Sequence, residues 1–187
     1  MGRDKALTAS FCEQAENIGY VIPPVIFEHF LEDFRRNGRY VGFPALGVEW
    51  QKLENPAMRR ALGMGSAQKG VLIRRVEQAA PAAAVLKAGD VLLSFNGTEI
   101  GTDGSIQFRR GERICFSHVV SSLFCGEEAT IRVLSQPAGP GGDAAAVVRE
   151  LRVKMYAPSR LVPVHTRGLP PSYFICAGLV FTPVSVP

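Results

Sequence analysis

Long apolar runs are missing from this sequence: none reaches the ~18–20 residues needed to cross a bilayer, so no membrane span is expected. Met1 to Gln14 lacks the apolar core of a secretory leader, and it is too short and too acidic for a transit peptide. Cysteine is sparse. The four, at positions 12, 115, 125 and 176, form no CxxC pair and no Cys/His group at zinc spacing. No metal and no cofactor are therefore expected. Cys115 and Cys125 lie in apolar stretches and read as small buried hydrophobes, a usage that suits a reducing intracellular compartment or organelle. A strong excess of one charge is also missing. The net charge is +4, and short pairs such as Arg35-Arg36 and Arg74-Arg75 are scattered. A nucleic-acid surface would gather them on one face, so no nucleic-acid partner is expected.

The content itself is that of a globular protein: 187 residues, 47% hydrophobic and 20% charged. Residues 1–15 show no pattern. Glu16 to Ile22 reads as a short strand, stopped by Pro23-Pro24, which can open a helix. Val25, Phe27, Phe30, Leu31 and Phe34 then recur at helical spacing up to Asn37-Gly38. That apolar face is expected to pack into a core. Leu46 to Gln51 reads as a strand, Asn55-Pro56 as the cap of a short helix, and Gly70 to Val76 as a strand. Ala80-Pro81 opens a second short helix that closes at Gly89, and Asp90 to Phe95 is a strand running into the hairpin turn Asn96-Gly97. Gly101 to Gly111 is expected as a polar loop and Glu112 to Phe124 as a helix. Ala129 to Leu134 and Val147 to Met155 are further strands, separated by a Gly/Pro/Ala-rich loop over 136–146. Tyr173 to Thr182 reads as one apolar strand.

Two features carry a function. Ala45-Leu46-Gly47-Val48 places a glycine between apolar residues where a loop enters a strand. Successive free N–H groups in such a turn form a nest for an anion, such as a peptide's terminal carboxylate. The rest of the peptide can then add as a strand beside Val48 to Gln51. The second feature is a block: Gly70-Val71 to Val76, Ala80-Pro81-Ala82, Leu86-Lys87-Ala88-Gly89-Asp90-Val91-Leu92, then Asn96-Gly97. It spells strand, short helix, tight glycine turn, strand and hairpin, with Asp90 able to accept backbone N–H bonds at the turn.

As a block, this pattern closely resembles PDZ domains of the bacterial and plastid protease type. The flanks narrow the resemblance to the Deg/HtrA (Do-like) serine proteases, plant and algal Deg subgroup. Ala15 to Pro23 is similar to the end of their trypsin-like protease domain, and Tyr40-Val41-Gly42-Phe43-Pro44 to the junction with their first PDZ domain. Phe108 to Ile114 resembles an insertion of that subgroup, and Gly168 to Phe174 with Ala177 to Phe181 the start of its second, degenerate PDZ domain. The resemblance implies an α+β chain: a small, partly open β-barrel or sandwich capped by two or three helices. It implies residues 1–14 unassigned, 15–37 as a strand and helix remnant of the protease domain, 38–155 as the PDZ domain, and 156–187 as the truncated start of a second one.

Relatives of this kind cut peptide bonds with a Ser-His-Asp triad whose Ser lies in Gly-Asn-Ser-Gly-Gly. Here no Ser is followed by Gly-Gly, and His29, His118 and His165 each read as structural. No catalytic residue is assigned, and this chain alone is expected to be inactive. The leading expectation is a binding module for extended or C-terminal peptide segments and unfolded protein. Ala45, Leu46, Gly47 and Val48 would hold the peptide backbone, and Glu49, Trp50 and Gln51 would flank the added strand. Phe116, Val119, Val120 and Leu123 would form the other wall; Trp50 serves either the groove or ordinary packing. Gly47→Glu is expected to abolish binding without unfolding the domain. The alternatives are a serine endopeptidase in protein quality control whose catalytic domain is missing from this chain, and an assembly role in a homo-oligomer.

Overall fold

The computed structural model describes residues 7–9, 20–136, 146–158, 162, 170 and 172–184. These fall into two compact units, Met1–Ala157 and Pro158–Pro187.

In the first unit, strands β1 (Leu7–Ala9) and β2 (Tyr20–Ile22) pair antiparallel. The lead segment thus contains a strand that its composition did not announce, while 16–19 lie outside the described residues. Helix α1 (Pro24–Asn37) starts on a proline, which needs no N–H partner there, and ends at Gly38, whose φ of 66° lets its N–H return to Phe34 O.

The main sheet has the order β10-β9-β5-β4-β3: β10 is Val147–Lys154, β9 Glu128–Ser135, β5 Val91–Phe95, β4 Val71–Val76 and β3 Val48–Lys52. β6 (Thr98–Glu99) folds back on β5 through Asn96 and Gly97, both at positive φ. Every residue of β5 is buried, because its faces serve two cores. Leu92 and Phe95 join Ile73, Ile100, Ile106, Ile131 and Val133 in the larger one. Val91 and Leu93 join Leu53, Met64 and Leu134 beneath helix α2 (Pro56–Ala61), whose cap Asn55 accepts from Ala57 N–H at 2.9 Å. The Ala80-Pro81 helix is a single 3₁₀ turn, Pro81–Ala84. Buried Asp90 accepts from Lys87 N–H at 3.0 Å, as its place at the turn requires.

Several sequence expectations are corrected. The polar loop 101–111 and the first part of the helix 112–124 are a β-hairpin, β7 (Ser105–Arg109) and β8 (Glu112–Cys115). Ile106 faces Ile114 across it and Gly111 turns it at positive φ. Only Ser117–Ser121 remain helical, as α3. Cys115, on that hairpin, is exposed and Cys125 half-buried. The apolar residues of α1 are exposed rather than packed: Val25 at 55% and Phe34 at 52%. Its buried residues are His29 and Asp33.

In the second unit, the apolar stretch near Tyr173 is a hairpin rather than one strand. β11 (Phe174–Cys176) pairs with β12 (Leu179–Phe181) through Ala177 and Gly178, both at positive φ. Every residue of both strands is exposed.

Candidate peptide-binding site

The chain enters the sheet through Pro44 to Gly47. Ala45 bridges to Tyr156, donating its N–H to Tyr156 O at 2.9 Å. Leu46 is buried in the larger core. Gly47 sits at φ 73°, and its carbonyl accepts from Glu77 N–H at 2.8 Å. The N–H groups of Leu46 and Gly47 meet no acceptor among the described residues. Ala45 therefore spends its donor inside the fold, while the next two residues keep theirs.

β3 follows at once, and among the described residues it is the edge of the sheet, paired only with β4. The bond from Glu77 N–H to Gly47 O fixes the phase of the ladder. With Val48 opposite Val76, the N–H and C=O of Val48 point away from β4 toward the open edge. Half-buried Val48 and Trp50 face the core, while exposed Glu49 lies on the opposite face. Trp50 packs over Gly104, where an added Cβ would lie 2.3 Å from its ring, and meets Phe116 at 5.3 Å between centroids.

From α3 and its flanks, Phe116 and Val120 are buried in the core, whereas Val119 and Leu123 are half-buried against it. Val119 and Leu123 thus keep surface that a ligand can reach, and Phe116 acts through Trp50. The expected behaviour of Gly47→Glu does not survive the geometry. A Cβ there would lie 2.3 Å from Ala80 Cβ and 3.0 Å from the Tyr156 hydroxyl, at a φ that disfavours any side chain. The substitution would damage the fold as well as the nest.

Sequence reasoning missed two groups of residues. Glu77 accepts a hydrogen bond from the Tyr156 hydroxyl, which braces the Gly47 loop from behind. The other group joins α1 to the end of α3. His29 stacks between Phe43 (4.5 Å) and Phe124 (4.3 Å), and its Nε2 faces Leu123 O at 2.8 Å, so that nitrogen carries the proton. Arg36 lies over the Phe124 ring at 3.8 Å and pairs with Glu127 at 2.9 Å. Buried Asp33 accepts from Val41 N–H (2.7 Å), Gly42 N–H (3.2 Å) and the Asn37 amide (2.8 Å). Burial works to raise the Asp33 carboxyl, but the Val41, Gly42 and Asn37 donors outweigh it and hold the group below the usual carboxylate value. Burial pushes the Cys125 thiol up, which leaves it a poor nucleophile. No group of three or more His, Cys, Asp or Glu side chains suited to a metal occurs among the described residues. Nor, among them, is any helix long and apolar enough to cross a membrane.

The PDZ domain family matches residues 44–134, which run from the nest loop through β9. The chain is 47% identical over 175 residues to the chloroplastic protease Do-like 2 of Arabidopsis thaliana, covering 94% of this chain and 27% of that protein. It is 36% identical over 173 residues to the mitochondrial protease Do-like 4 of the same plant, covering 92% of this chain and 32% of that protein. This chain therefore spans about a quarter to a third of the length of these relatives. Among solved structures, the HtrA-type protease AlgW with a decapeptide superposes with a TM-score of 0.53 at 23% identity, covering 83% of this chain and 42% of that one. That likeness speaks to the fold, and the sequence matches speak to descent: the chain belongs to the Deg/HtrA protease family, and residues 44–134 are its PDZ domain.

Proposed function

We propose that this chain is the peptide-capturing part of a Deg/HtrA protease. An extended segment with a free C-terminus adds antiparallel to β3, and its terminal carboxylate sits on the N–H groups of Leu46 and Gly47. One observation carries this reading: the two unused N–H donors lead straight into the free edge of the sheet. Val48 then exchanges backbone bonds with the last peptide residue. Val119 and Leu123 offer the opposite apolar wall, and Trp50 borders the next inward position.

The test uses Trp50, the single tryptophan, as reporter. Short peptides ending in an apolar residue are titrated as free acids and as C-terminal amides. The acid is expected to shift Trp50 emission and to bind at least tenfold more tightly, about 1.4 kcal/mol. Equal binding of the two forms overturns the nest assignment.

A second reading has its own support. The exposed apolar face of α1 and the greater length of the relatives favour a longer protease in which this region serves a catalytic domain. An antibody against residues 38–155, used on source extract, separates the cases. A band several times larger than 20.2 kDa supports the protease reading, and a band near that mass removes it.

A further inference from the structure

The ladder between β3 and β4 slips by one residue between Glu49 and Trp50. Glu49 pairs with Arg75 and Trp50 with Ile73, so Arg74 is the extra residue of a β-bulge. A regular strand would turn Arg74 and Arg75 to opposite faces. Here both are exposed, and both meet β3 side chains that alternate with the core-facing Val48 and Trp50: Arg74 meets Gln51 and Arg75 meets Glu49. The Arg75 guanidinium lies 3.5 Å from the Glu49 carboxylate, so each offsets the other. The Arg74 guanidinium instead donates to the neutral Gln51 amide at 2.7 Å. Its positive charge has no acidic partner among the described residues, and most of its five N–H donors are uncommitted.

We infer that Arg74 makes this groove selective for peptides with an acidic residue at the fourth position from the C-terminus. The inference rests on the peptide-binding reading above. With the last residue opposite Val48, antiparallel pairing sets the second from last opposite Glu49, the third opposite Trp50 and the fourth opposite Gln51. Directly opposed residues share a face, with Cβ atoms ~5 Å apart. The fourth side chain therefore emerges beside Gln51, whose amide oxygen holds the Arg74 guanidinium. A carboxylate there can take the free edge of the guanidinium in a charge-assisted bond. At the second position from the end the Glu49–Arg75 pair is self-neutralised, so charge there matters little.

The experiment measures Kd by fluorescence anisotropy on the 187-residue chain. The probes are fluorescein-labelled hexapeptides with a free C-terminal valine, alanine elsewhere, and Asp, Ala or Lys at the fourth position from the end. Asp is expected to bind roughly threefold more tightly than Ala, and Lys more weakly, with the gap closing at high salt. In Arg74→Gln the Asp-to-Ala ratio is expected to fall to about one. The same Asp placed second from the end is expected to gain nothing. If Asp, Ala and Lys peptides bind alike while the free-acid Ala peptide still outbinds its amide, the acidic preference is wrong and the groove reading stands. If free acid and amide also bind alike, the groove reading fails and takes this inference with it.

Discussion

The PDZ barrel and helix α1 bury opposite kinds of residue. The barrel follows the ordinary rule: Ile73, Leu92, Ile131 and Val133 are wholly inside. α1 inverts it, docking through His29, Asp33 and Arg36 while Phe27, Phe30 and Phe34 stay exposed. The spacing explains how. His29, Asp33 and Arg36 stand at i, i+4 and i+7, a helix stripe of their own beside the apolar one. Hydrophobic burial holds the barrel, whereas hydrogen bonds and ring stacking hold the helix. These two kinds of adhesion respond differently to mutation and to pH.

The largest effect is expected where the barrel loses volume. Ile131→Ala should cost about 2–5 kcal/mol of stability in urea unfolding. A cost under about 1 kcal/mol would show that the barrel is not the stable part. Next is Gly47→Ala, which sets a Cβ against Ala80 and Tyr156 at positive φ and should cost about 3 kcal/mol. Asp33→Ala strands the N–H groups of Val41 and Gly42 and should cost about 2 kcal/mol, read as faster hydrogen exchange in α1 with the β5 and β9 amides still protected. Matched loss of protection in both regions would erase the distinction.

Acid should give the same local release. The folded Asp33 carboxyl titrates below its unfolded value, so its contribution is complete at neutral pH. It is lost as pH falls through the ordinary carboxylate range toward the folded value. Protection of the α1 amides, taken relative to the slower intrinsic exchange in acid, should therefore fall before that of the barrel amides. The smallest effect is expected on the exposed face. Phe27→Ser should change stability by no more than about 0.5 kcal/mol. A cost near that of Ile131→Ala would mean that this face is covered in solution.

The same contrast separates what was legible in the sequence from what was not. Local chemistry could be read directly. Asn96-Gly97 adopts the positive φ pair of a tight hairpin, Asn55 caps α2, and Pro24 and Gly38 bracket α1. These rest on single residues with strong backbone preferences. The nest loop was legible as a pattern, but not which of its N–H groups stay free, because Ala45 loses its donor to Tyr156, more than a hundred residues away. The face by which α1 docks was hidden for the same reason: periodicity shows an apolar stripe, not what touches it. The 105–115 hairpin was obscured by its arginines and by Gly111, which mimic a loop. The bulge at Arg74 leaves no mark in the sequence, since Leu-Ile-Arg-Arg-Val fits a regular strand equally well.

That bulge also bears on what can pair with the open edge. A strand open to a peptide is equally open to the same strand of another molecule, and long flat edges propagate into sheets of many chains. Here the edge spans only Val48 to Lys52, bears Glu49 and Lys52 on its exposed positions, and lies against the bulged residue Arg74 of β4. A second copy would have to pair through only these five residues, two of them charged. A single flexible peptide needs only the backbone groups of this short edge, whereas a second copy would have to bring its whole folded surface with it.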